Sequence, residues 1–161
     1  MTKSLPRLLE KAIHGDLRED GDLSDMLSEL RILLPGAQML TAFLVILPFN
    51  GGARQIIQAE RYVFLVTFFC ALISLVLLSA PAIQHRLMRP LVSKSRFKRI
   101  ASRQIVAGSC ALGFALILGT NLVLSEVFGT ATGIIAGGAI GVLISSIWLI
   151  LPLYLKRKHG F

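Results

Sequence analysis

An amide and a hydroxyl stand three residues apart inside the apolar stretch "ELRILLPGAQMLTAFLVILPF", residues 29–49. They are Gln38 and Thr41, the strong side-chain hydrogen-bonding groups of its apolar part, residues 32–49. At helical spacing they share a face with Leu34 and Val45. Two kinds of chemistry suit such a face. Repeated around an oligomer axis, amides and hydroxyls contact a partly dehydrated ion, with Leu34 or Val45 as an apolar constriction. Set against a neighbouring helix, Gln38 instead bonds across the interface, for about 1 kcal/mol.

Charged and titratable groups gather at the edges of the apolar runs. Glu29 and Arg31 precede the first, His85 and Arg86 follow the second, and Arg103 precedes the third. This cluster reads either as snorkelled charges with one ion pair, Glu29 to Arg86 or Arg103, or as a gate in which His85 titrates near neutral pH. Asn121 and Glu126 form a polar edge at the far end of the third run, as a hydrated interface or an ion entry. No ionisable residue falls in the middle of a run, where transport sites usually hold one. His14, His85 and His159 lack metal-ligand spacing, so no metal site is expected. Phosphate-binding glycine loops, nucleophile elbows, CxxC and HExxH are absent from the sequence. Neither an enzyme nor a cofactor is expected. Cys70 and Cys110 fall near opposite ends of their runs, too far apart for a disulfide, and read as small buried residues.

The elements that must position these groups follow from composition. Of 161 residues, 54% are hydrophobic and only 16% charged, and the charges sit in blocks. That segregation indicates a membrane protein rather than a soluble core. Four runs reach the roughly 17–25 residues of a spanning helix, at about 32–49, 62–83, 104–124 and 130–155. The expected fold is an all-α four-helix transmembrane bundle. The segment 84–103 carries Arg86, Arg89, Lys94, Arg96, Lys98, Arg99 and Arg103 without an acid, and the tail 156–161 adds Lys156, Arg157 and Lys158. Read as a basic loop and tail, both lie in the cytoplasm with the two termini. They attract anionic lipid headgroups; without aromatic interleaving or a fold motif, nucleic acid is not an expected partner.

Residues 1–31 form an expected cytoplasmic appendix. Leu5, Leu8, Leu9 and Ile13 make a short amphipathic helix that Gly15 terminates, and a second pattern holds Leu23, Met26, Leu27, Leu30 and Leu34. Its acids (Asp16, Glu19, Asp20, Asp22, Asp25 and Glu29) are expected to dock on the basic loop, with Pro35 as a hinge before the span. Pro48 closes the span at its far end. Small residues recur every four positions in the last two spans: Ala107, Ala111, Ala115 and Gly119, then Gly133, Gly137, Gly141 and Ser145. Such stripes let backbones approach closely, within the hairpin or against another subunit.

The spaced residues of span one, Glu29-Leu30-Arg31, Gly36, Gln38, Phe43-Leu44 and Pro48-Phe49, resemble the first-helix signature of an uncharacterised family of small four-helix bacterial membrane proteins. "APAIQHR" with Pro81, His85 and Arg86 fits the same family. So do "ASRQIVAG" with Arg103 and Gly108, and "WLILPLYLK" with Trp148 and Pro152. Ser102 stands where that family has Asn. The resemblance covers most of residues 24–156 and implies a multi-pass protein of the bacterial cytoplasmic membrane. Some members carry the label sodium:proton antiporter, but a carboxylate that alternates between Na⁺ and H⁺ inside a span is missing here. The leading expectation is a homo-oligomeric channel for small ions with span one lining the path. The alternative is a non-conducting scaffold with Gln38 as interhelix glue.

Overall fold

Without water to satisfy amides in hydrocarbon, an apolar run of this length must coil, and every element of the described chain is helical. The computed structural model describes residues 4–49, 61–88 and 94–159, with side chains described at residue 21 and over 24–49, 61–88 and 96–158. The helices are α1 (Ser4–Ile46), α2 (Arg61–Leu87), α3 (Lys94–Phe128), α4 (Thr130–Ser145) and α5 (Leu151–His159). A 3₁₀ turn, Leu47–Phe49, ends α1, and a π-helical turn, Ser146–Ile150, joins α4 to α5. Among the described residues four stretches are long and apolar enough to cross a membrane: Ser24–Phe49, Arg61–Leu87, Arg96–Phe128 and Thr130–Lys158.

These helices outrun the spans expected from apolar length. The segment read as a basic loop at 84–103 is helix at both ends. Residues 84–87 complete α2, and Lys94, Arg96, Lys98, Arg99 and Arg103 lie on the first turns of α3. Hydropathy marks where a helix enters lipid, whereas its hydrogen bonds continue into water while the chain packs.

The N-terminal appendix differs in the same way. Gly15 and Pro35 were expected to break it, yet α1 runs unbroken for 43 residues, about 65 Å at 1.5 Å per residue. An interior glycine costs a helix only about 1 kcal/mol. Pro35 releases only the carbonyl of Arg31, which lies at the edge of the span. The side chains of Leu5, Leu8, Leu9, Ile13, Asp16, Glu19, Asp20 and Asp22 lie outside the described residues, as do residues 50–60 and 89–93.

The core is a three-helix seam with a seven-residue repeat. In α1 Leu30, Ala37 and Leu44 are buried; in α2 Thr67, Ser74 and Pro81, interleaved with Ala71 and Leu78; in α3 Ala101, Gly108, Ala115 and Leu122. A 3.5-residue period keeps a narrow stripe turned towards partner helices. The layers run from Leu30, Leu78 and Ile105, through Leu44, Ala71 and Ala115, to Leu47 and Leu122. Small residues alternate with Leu across these layers, so the backbones come close. At Gly108 a Cβ would lie 2.9 Å from Leu78 Cγ and 3.2 Å from Leu77 Cβ.

Among the described residues the fourth span packs chiefly on α3, leaving most of its apolar surface outward. A single residue, Gly129, connects the two helices. Its φ of 94° is a left-handed conformation that glycine adopts without steric cost. Its N–H donates to Ser125 O at 2.9 Å and its carbonyl accepts from Thr132 N–H at 3.1 Å, closing one helix and opening the next.

Candidate functional site

The four residues expected on one face of span one divide between two environments. Thr41 is only 7% exposed and its Oγ1 donates to Ala37 O at 2.7 Å. Leu34 is half-buried and packs against the Leu30–Ala37–Leu78 layer. Gln38 and Val45 are exposed on the flank. The buried stripe follows Leu30, Ala37 and Leu44, so positions 38 and 45 lie about 100° beyond 37 and 44. Gln38 stands about 10 Å along the axis from Arg31 and about 16 Å from Phe49. In a hydrocarbon core about 30 Å thick that is mid-depth. An amide is thereby presented outward where lipid offers no hydrogen bond.

Back-bonding explains the hydroxyls of the seam. Thr67, with no exposure, donates to Val63 O at 2.7 Å, as Thr41 does to Ala37. Ser74 Oγ, fully buried on the same stripe of α2 as Thr67, has no hydrogen-bond partner among the described residues. These hydroxyls sit among Leu and Ala side chains, and the seam has no continuous polar lining among the described residues.

At the basic end, α1, α2 and α3 meet through apolar contacts. Met26 packs on buried Phe97 and Ala101, and the His85 ring lies 5.9 Å from that of Phe97, tilted by 44°. Glu29, Arg31, Arg86 and Arg103 are exposed around this cap. Among the described residues no ion pair joins Glu29 to Arg86 or Arg103. The sequence reading missed Phe97, although its place four residues before Ala101 was a usable signal.

At the opposite end Glu126 is exposed, but half-buried Asn121 belongs to the α3–α4 seam. A Cβ on Gly133 would lie 2.7 Å from Asn121 O and 2.8 Å from Ser125 N; one on Gly137 would lie 3.2 Å from Asn121 Cβ. Gly141 faces Ile117, and Ser145 is exposed. The other stripe turns elsewhere: Ala115 is buried with Leu44 and Ala71, Gly119 faces Thr67 and Leu40, Ala111 is half-buried and Ala107 exposed. The two stripes therefore do not face each other. Four residues advance an α-helix by 400°, so a four-residue stripe drifts about 40° per step and winds off any straight contact. That drift carries Ser145 and Ala107 out of their seams. The seven-residue series through Gly108, which the four-residue reading passed over, stays in.

Cys70 is half-buried; Cys110 is exposed rather than buried as expected, and both are free thiols. No group of three or more His, Cys, Asp or Glu among the described residues could hold a metal ion.

No curated protein and no solved structure matches the chain. A family match, by contrast, runs from residue 15 to residue 152, across the first three spans and most of the fourth, with the residues that line the seam and the Gln38 flank. The chain belongs to that family, a family of unknown function (DUF6328).

Proposed function

We propose that this protein is a non-conducting, homo-oligomeric membrane scaffold whose subunits join through the outer flank of α1. The observation that carries the reading is Gln38, an exposed amide at mid-depth in the stretch 32–49, whose other exposed residues are apolar. Paired with the same residue of a second copy, each amide gains hydrogen bonds that lipid does not provide, for about 1–2 kcal/mol per contact. A closed symmetric ring or dimer satisfies every copy equally. Val45 lies seven residues from Gln38 on the same flank and supplies apolar contact. The seam does not compete for this role, because its hydroxyls are buried and two of them are back-bonded.

Conduction is the second reading, and Gln38 itself favours it, since a ring of amides at an oligomer axis can contact an ion. Thr41 weakens it: turned into the subunit's own core, this hydroxyl adds nothing to such a ring. A sodium:proton antiporter fits less well, because none of the four spans holds a carboxylate near its middle. We place the basic ends of the helices, with both termini, in the cytoplasm of a bacterial inner membrane on the bias of Lys and Arg, and assign no catalytic activity.

The experiment is Gln38→Leu in protein reconstituted into nanodiscs for subunit counting and into liposomes for ion flux. The scaffold reading expects a wild-type oligomer without flux, and a variant that falls apart to monomers. Wild-type flux that changes in an intact variant oligomer establishes the pore instead. A monomeric wild type defeats both.

A further inference from the structure

A groove of about 480 Å³ opens on the outer surface between α3 and the fourth span, in the half of the bundle nearer the basic end. Its walls include Val106, Cys110 and Phe114 from α3 and Ser145, Trp148 and Leu149 from the fourth span. The helices touch at Gly113, where a Cβ would lie 3.5 Å from Ile144 and 3.7 Å from the Trp148 ring. The Trp148 side of the groove is the π-helical turn. There Leu151 N–H reaches back five residues to Ser146 O, and Ser146 Oγ bonds to Val142 O and Leu143 O at 2.8 and 2.9 Å. Wide turns of this kind occur mostly as single insertions, often at functional sites.

The groove runs about 18 Å along α3 from Ile105 to Ile117 at 1.5 Å per residue, a length and a mostly apolar lining that suit a polymethylene chain. Charge selects the headgroup. Arg99, Arg103, Val106 and Cys110 share one exposed face of α3, so two guanidinium groups stand one and two turns beyond the groove. Lys156 lies seven residues past Leu149, at the basic end of the fourth span, while Lys158 lies over the Tyr154 ring at 5.9 Å. Neither 84–125 nor 127–161 contains an Asp or Glu.

We infer that this groove binds an anionic glycerophospholipid of the leaflet at the basic end, with one acyl chain along Val106, Phe114 and Trp148 and the phosphate held by Arg103, Arg99 and Lys156. This site is independent of the α1 flank. Bound there, the lipid covers the outer side of the α3–fourth span joint.

Trp148 is the chain's one tryptophan and reports the site directly. Full-length protein is reconstituted in phosphatidylcholine bilayers containing phosphatidylglycerol, with brominated acyl chains on one lipid at a time. Brominated phosphatidylglycerol should quench Trp148 well beyond brominated phosphatidylcholine at equal mole fraction. The apparent preference should be roughly fivefold per engaged cation, the ratio that about 1 kcal/mol represents. Arg103→Gln with Lys156→Gln should remove most of that preference, leaving the roughly fivefold share of Arg99. Ser109→Phe, which fills the groove, should lower quenching by both. Should the double variant fail to fold, high salt on the wild type makes the same test, because screening weakens exposed charge contacts. Equal quenching by the two lipids in the wild type means a general lipid annulus and overturns the inference. So does weak quenching accompanied by a Cys110–Cys110 crosslink, which would place a second copy over the groove.

Discussion

Replacing Gly133 by Ala adds one methyl group at the tightest point of the α3–α4 joint. The new Cβ would fall 2.7 Å from Asn121 O and 2.8 Å from Ser125 N, and closer still to Ser125 Oγ. Two of these three atoms are backbone held in helical hydrogen bonds, so no side-chain rotation relieves the overlap. The helices must move apart, and the Gly137 contact with Asn121 Cβ at 3.2 Å moves with them. Overpacking of this kind costs about 1–3 kcal/mol. Gly138, five residues along the same helix, is the internal control: a Cβ there meets nothing within 4 Å. Gly138→Ala should therefore be neutral, or stabilising by up to about 1 kcal/mol through helix propensity. Detergent-mediated unfolding, followed by far-UV circular dichroism and Trp148 emission, should separate the two variants by at least 1 kcal/mol. Ser125→Ala in the Gly133→Ala background removes the nearest atom and should recover only part of the loss. Equal stability of the two glycine variants, or full rescue by Ser125→Ala, would refute the claim that backbone contact holds this joint.

Three further outcomes follow from the seam and its cap. Leu78→Ala, at a fully buried side chain in contact with α1 and α3, should cost about 2–5 kcal/mol in the same assay. Ser74→Ala removes a buried hydroxyl without a partner among the described residues and should be neutral or slightly stabilising; a loss above about 1 kcal/mol would reveal a hydrogen bond. Phe97→Ala strips the surface on which Met26 and His85 rest, so limited proteolysis should cut α1 before Leu30 faster while the spans stay protected. If that cleavage rate responds to salt and not to Phe97→Ala, charge rather than apolar packing holds α1 at the basic end.

The acidic segment illustrates how charge pattern and packing divide an explanation. Its sequence suggests docking on basic residues by long-range attraction. The described contact is Met26 on Phe97 and Ala101, an apolar patch inside the basic stretch. Charge attraction would join the same segments as this apolar contact, but close contact is set by shape, and the spacing of Phe97 and Ala101 is a short signal inside a run dominated by Lys and Arg.

Membrane residence, four helices and their approximate positions are legible in the sequence, because hydrocarbon imposes one requirement, internal hydrogen bonding over a fixed thickness, that composition alone can meet. The existence of close-packed glycine faces is legible as well, since only small side chains permit such approach. Which way each face turns is not. Thr41 and Gln38 are 60° apart on the helical wheel, and the seam edge runs between them; Ala107 and Ala115 belong to one periodic series, yet only Ala115 is buried. These outcomes depend on helix phase, on the drift of a four-residue stripe against a seven-residue seam, and on which neighbour occupies each side. The tertiary structure alone decided that Thr41 serves the subunit's core, that Gln38 faces outward, and that a π-helical turn borders a groove beside Arg103. Burial is a relation between helices, and one helix's sequence does not contain the other helix's position.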